Sequence, residues 1–281
     1  MIRRPWDVFC EQVLFLEGST RTAALLRILI VLLLWTRFAG NVLPFRDTSP
    51  DGLLLSASFF TSTFLLLIGL GSRISAAWAG LTMLAMVFYF GPLEREGWTH
   101  HHTTILALGT ALLPFTPCGH SYSMDRWLAI GRAERNGTPI PPERAPLWGM
   151  RLVGFHVSVV YLSTAFDKTN LAFLSGARLE QSLMQVFWSS DTIDLPGWSA
   201  LMMMAAVITV VLEYVLPFAL WVPRWQPVTF LAGFVLHALI YLMLPVATFS
   251  MTMWALYLGY TDADQVHRII DRLSGATDST V

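Results

Sequence analysis

Apolar runs of membrane-crossing length, separated by short polar stretches, fill most of this chain. They lie at about 24–43, 53–72, 74–91, 102–117, 149–168, 198–219, 227–247 and 248–261. A helix rises 1.5 Å per residue, so about 20 apolar residues cross roughly 30 Å of hydrocarbon. The pattern predicts an all-α, polytopic transmembrane helix bundle with about eight crossings. The fourth run is short and ends in Pro114 and Pro117, and Pro245 blurs the boundary of the last two, so six or seven crossings are the alternatives. Between the fifth and sixth runs, residues 173–190 place Leu179, Leu183, Val186 and Phe187 near one helical face, opposite Arg178 and Gln185. That pattern suits an amphipathic helix in the interface with Trp188 at headgroup level, or a re-entrant lid.

Three regions follow: a partly amphipathic, interfacial lead-in at 1–22, a transmembrane domain at 23–261, and a short polar tail at 262–281. Asp7, Glu11 and Glu17 interrupt the N-terminal region before the first long run, which argues against a signal peptide. No internal repeat or long linker is visible.

Composition agrees. Residues are 54% hydrophobic and 13% charged, with a mean hydropathy of +0.55, against about 25% charged in an ordinary soluble domain. A net charge of −1 leaves no basic excess for nucleic-acid binding. Basic residues gather at 3–21, Arg73, 126–144, Arg224 and 268–272, whereas Arg46, Arg95 and Arg178 occupy the alternate loops. The positive-inside rule then puts both termini in the cytoplasm, as expected for a bacterial inner or plasma membrane protein. Cys10 and Cys118 form no CxxC spacing and leave the redox compartment open.

Lys168 is the only lysine. At the end of an apolar segment it either snorkels and pairs with Asp167, or loses enough hydration to work as a neutral base. His100, His101 and His102 precede the fourth run, and three successive helix positions do not converge on one metal ion, so no metal site is expected. Of the three, His102 is the candidate for a functional role beside Lys168 on the predicted outer face. Arg27, Arg37, His156, Glu213 and His237 lie within apolar segments, where each needs a partner. Glu213 with His237, or with Arg27, are reasonable structural pairs. Alternatively His156, His237 and Arg27 line a cofactor-binding cavity. Ser123 and Asp125, in CGHSYSMD, suit a helix cap. There is no GxSxG elbow, HExxH motif or phosphate-binding glycine loop.

Arg27 in the first helix, HTTILAL at His102, HSYSMD, YLSTAFDKTN and the late His237 together resemble the HTTM family over roughly residues 20–260. This is the membrane domain shared with vitamin K-dependent gamma-carboxylases. The resemblance implies that Lys168 deprotonates a reduced vitamin K-like quinone and that His102 assists it, with the quinone held in a membrane cavity. Where those carboxylases carry two lysines this chain has Asp167–Lys168, and only a short polar stretch follows residue 261. Full glutamate gamma-carboxylation is therefore not expected. A quinone-linked reaction, with a small peptide or separate soluble domain as partner, is. The other readings are a non-catalytic membrane component of peptide maturation, export or immunity, and a small-molecule transporter. Membrane lipids are partners in every case.

Overall fold

The computed structural model describes residues 16–44, 46–94, 100–184, 195–243 and 247–275. In chain order these form β1 (Glu17–Ser19), α1 (Arg21–Leu34), α2 (Pro50–Ile68), α3 (Ser72–Leu84), α4 (His101–Leu112), α5 (Met124–Asn136) and β2 (Arg144–Pro146). There follow α6 (Trp148–Lys168), α7 (Leu171–Leu174), α8 (Ala177–Leu183), α9 (Trp198–Ala219), α10 (Gln226–Met243), α11 (Ala247–Leu256) and α12 (Ala263–Ser274). Wider π-helical turns carry α1 on to Ala39 and α3 on to Phe90.

Among the described residues, six helices are long and apolar enough to cross a membrane: α1 with its extension, α2, α3 with its extension, α6, α9 and α10. The protein is an integral, polytopic membrane protein, largely helical. The other two apolar runs form shorter helices. His102–Phe115 is apolar but ends in a tight 3-10 turn at Leu113–Phe115, containing Pro114. The 10 residues of α11 rise only about 15 Å. The lead-in at 1–15, Pro245, and Val186, Phe187 and Trp188 lie outside the described residues.

The chain divides into two compact units, Met1–Gly154 with Ala255–Val281, and Phe155–Trp254. In the first unit, α2 begins at a Ser49 side chain that accepts from Gly52 N at 3.1 Å, with Pro50 at the first helical position. It ends at Gly69, whose φ of +68° makes the left-handed turn into α3. Ser58 Oγ lies 2.8 Å from Thr82 Oγ1, and Trp35 Nε1 donates to Thr63 Oγ1 at 2.9 Å. Small hydroxyl side chains thus join α2 to α3 and to the α1 extension, as suits helices packing without water. Ala23, Leu26, Ile30, Phe59, Leu66 and Met83 fill the core between them.

One end of this unit is tied by charge. Strands β1 and β2 pair antiparallel, with Gly18 opposite Ala145. Arg21 Nε donates to Glu143 Oε2 at 2.8 Å, and the same guanidinium pairs with Asp271 of α12. Ser19 N donates to Asp264 Oδ1 at 3.0 Å, and Arg144 Nη1 lies 3.1 Å from the same oxygen. His267 sits between Ser19 Oγ at 2.8 Å and Asp271 at 3.1 Å. Three of the stretches grouped by their arginines, around Arg21, at 126–144 and at 268–272, do meet. Within the polar tail, Asp262 accepts from Asp264 N and Gln265 N and starts α12.

In the second unit, the stretch expected to be one amphipathic helix is divided. Gly176, at φ +82°, separates α7 from α8, and a Cβ there would run into the Met202–Met203 backbone. This close approach lets Phe173 pack on Ala206 and Val210 of α9, with Leu174 and Leu179 alongside.

Candidate functional site

Tyr161, Thr164 and Lys168 occur on α6 at i, i+3 and i+7, a spacing that puts them on one helical face. Lys168 Nζ donates to Glu213 Oε1 of α9 at 2.5 Å. The lysine side chain is 26% exposed and the glutamate 5%. The Thr164 hydroxyl flanks the same carboxylate, and donates to its own helix at Tyr161 O, 3.0 Å away. Lys168 Nζ also stands 5.8 Å from the centre of the Phe173 ring, within cation–π range. Two turns earlier on the row, Tyr161 Oη is 2.7 Å from Nε2 of the buried His237 on α10. The His237 ring meets Phe249 of α11 edge-on at 5.3 Å.

Packing holds this arrangement. Pro217 has no N–H to bond the Glu213 carbonyl one turn before it, which loosens α9 beside the ion pair. Ser158 Oγ donates to Pro217 O at 3.0 Å and receives Trp221 Nε1 at 3.0 Å, bracing α6 against α9. Beyond Lys168, Thr169 Oγ1 lies 3.0 Å from Tyr214 Oη.

The partner of Lys168 is thus Glu213 and not Asp167, which is exposed. Consecutive helix residues point in different directions, so adjacency in sequence did not make a pair. Glu213 in turn takes Lys168, where His237 or Arg27 had been expected. His156 belongs to the same unit, but five positions before Tyr161 it points roughly 140° around α6 from the row.

Arg27 and His102 belong to the first unit. Arg27 is fully buried. Its Nη1 donates to Cys118 O at 2.7 Å and its Nη2 to Tyr122 O at 2.5 Å. Tyr122 takes an uncommon positive φ of +48° that presents its carbonyl. A Cβ on Gly69 would collide with Arg27 Nη1 and Ser123 Cβ. Arg27 therefore pins the 118–123 loop against the α2–α3 turn. His102 opens α4, its ring stacked on that of His100 at 5.4 Å. Among the described residues no group of three His, Cys, Asp or Glu side chains is arranged to hold a metal ion.

The HTTM-domain family model matches residues 46–264. The chain belongs to the HTTM-domain family. No curated protein and no solved structure matches it. The matched HTTM stretch takes in His102, His156, Lys168, Glu213 and His237, and begins after Arg27. Of the residues singled out by sequence, Lys168, Glu213 and His237 come together in one unit, Lys168 and Glu213 as an ion pair and His237 through Tyr161 on the α6 face that carries Lys168. The signal for Tyr161 and Thr164 was their helical spacing from Lys168. Glu213, 45 positions away, gave no such signal.

Proposed function

We propose that this HTTM domain is a membrane-embedded proton-transfer enzyme acting on a lipid-soluble, weakly acidic substrate such as a reduced quinone, with Lys168 and Glu213 together as the base. The carrying observation is the lysine–glutamate pair, mostly withdrawn from water, inside a chain that buries few charges. Burying two charges is costly, and well-packed apolar residues often serve stability as well or better, so such a pair calls for a use.

The chemistry balances through the pair as a unit. At the start the pair is neutral overall, either as ammonium and carboxylate or as amine and carboxylic acid. An acidic O–H on the substrate breaks, and its proton is taken up by the carboxylate directly or by the amine. Both routes end with Lys168 as an ammonium beside the new anion and with Glu213 protonated. Lys168 supplies the positive charge that stabilises the anion where water is scarce, and Glu213 holds the proton. Tyr161 and His237 offer hydrogen-bonding groups further along the same face. Full glutamate gamma-carboxylation is not part of the proposal; a peptide or soluble-domain partner is a separate matter that genomic neighbours would address.

The test is the rate at which dissolved oxygen, the two-electron acceptor, oxidises a reduced quinone once it is deprotonated, followed by absorbance and product analysis with the protein in lipid nanodiscs. Lys168→Ala is expected to cut turnover about 10²- to 10⁴-fold, the usual reach of a positioned base. That variant also strands a buried carboxylate, at about 3–5 kcal/mol. A double variant, Lys168→Leu with Glu213→Leu, removes both charges and is expected to fold as stably as wild type while remaining inactive. Wild-type turnover in either variant would sink the proposal.

A second reading has one specific support: the two charges satisfy each other, as a clamp between α6 and α9 would. A non-catalytic component of a peptide-handling system then keeps its cellular function in the double leucine variant.

A further inference from the structure

The charges at the tied end of the first unit are sorted by direction. Asp125, Glu143, Asp264 and Asp271 are all engaged with partners inside the unit. Arg73, Arg132, Arg135, Arg268 and Arg272 are exposed, and none of them forms an ion pair among the described residues. The exposed carboxylates of this end are fewer: Glu17, Glu134 and Asp262. Inward bonding of acids leaves the outer surface cationic even though the whole chain has a net charge of −1.

Apolar side chains stand among these arginines. On α5, Met124, Leu128 and Trp127 are exposed, Trp127 to 66%. On α12, Ile269 and Leu273 are exposed, Leu273 to 83%. The level of α5 is fixed by bonds to the ends of two membrane-spanning helices. Asp125 N donates to Gly69 O at 3.0 Å, and the Asp125 carboxylate receives Gly71 N at 2.8 Å and Ser72 N at 2.7 Å. Trp127 therefore begins where α2 ends and α3 starts, at the depth where aromatic rings collect at a bilayer boundary. Tyr122, and Trp148 at the start of α6, are exposed at the same end.

We infer that α5 and α12 form one lipid-docking surface that lies on an anionic leaflet, apolar residues in the acyl boundary and arginines on the headgroups. An anionic bilayer supplies both the apolar depth and the negative surface in one place.

The full chain, with Cys10→Ser and the buried Cys118 left in place, carries a nitroxide at Trp127→Cys or at Leu273→Cys. It is reconstituted into vesicles of phosphatidylcholine, with or without 30% phosphatidylglycerol (about one lipid in three, enough for an anionic surface potential). In the mixed vesicles both labels are expected to be several-fold more accessible to oxygen than to a nickel chelate. Arg132→Gln, Arg135→Gln, Arg268→Gln and Arg272→Gln together are expected to return chelate access at both labels, without loss of the folded protein in detergent. Labels that stay chelate-accessible in anionic vesicles overturn the inference. So does protection that appears only in native membranes with a bound soluble protein, which assigns the face to that protein. An unchanged depth in the four-glutamine variant refutes the part given to the arginines.

Discussion

Arg27 shows what one buried cation does when its bonds go to backbone instead of to a carboxylate. Its donors hold the Cys118 and Tyr122 carbonyls, so the shape of a loop depends on a side chain from the first helix. Arg27→Met removes those donors and leaves the buried Cys118 carbonyl unmet, at about 1–3 kcal/mol, with a smaller loss at the half-buried Tyr122 carbonyl. Gly69→Ala attacks the same point from the other side. A left-handed residue with a Cβ costs roughly 1–2 kcal/mol, and this Cβ also meets Arg27 and Ser123. Both variants are expected to lower the midpoint of unfolding in detergent, and their double combination to lose less than the sum. At this scale the sequence marked which residues matter better than whom they touch. Lys168, His237, Glu213 and Arg27 were recognisable because a polar group in an apolar run is costly. Their partners depend on how separate helices are arranged, which no local spacing encodes for Glu213.

Helices were legible nearly to their ends, because caps and breakers are local. Ser123 does cap α5, accepting from Arg126 N at 3.0 Å. Asp125, expected to share that task, instead caps the start of α3 through Gly71 and Ser72. Burial alone would raise its pKa. The Ser72 backbone and hydroxyl, the Gly71 N–H and the Arg27 charge outweigh that and hold it below the ordinary carboxylate range. The sign follows: the stabilisation is full above the usual carboxylate pKa and is lost as pH falls through the lowered native value. Asp125→Asn is expected to flatten the acid limb of the stability–pH curve and to weaken the protein at neutral pH. An unaltered acid limb would remove Asp125 from this role. Two elements escaped the pattern altogether. The three-residue strands β1 and β2 are too short for alternation to register, and the break at Gly176 depends on how near α9 comes.

For the whole molecule, membrane character, a largely helical fold and the main spans all follow from hydropathy and helix rise. The crossing number did not, since His102–Phe115 and α11 are apolar enough but short. The arginine-bearing loops proved to keep company: β1, the 118–147 region and α12 bond to one another. Arg21→Gln takes away the cation shared by Glu143 and Asp271. It is expected to free α12, seen as faster tryptic cutting after Arg268 and Arg272; an unchanged cutting rate would mean that the Asp264 and His267 bonds secure the helix without Arg21.

That tie also sets a timetable. Ribosomes deliver the chain from its N-terminus, so Arg21 and Glu143 are made long before Asp271. All of Phe155–Trp254 must be synthesised in between. The first unit cannot close during its own translation. Its earlier helices must wait in the bilayer, short of the Arg21–Asp271 and Arg144–Asp264 ion pairs and of the Ser19–Asp264 hydrogen bond, until α12 arrives. Quality control that samples nascent membrane proteins therefore meets this one in an open form, and a stop codon anywhere before residue 262 would leave that open form permanent.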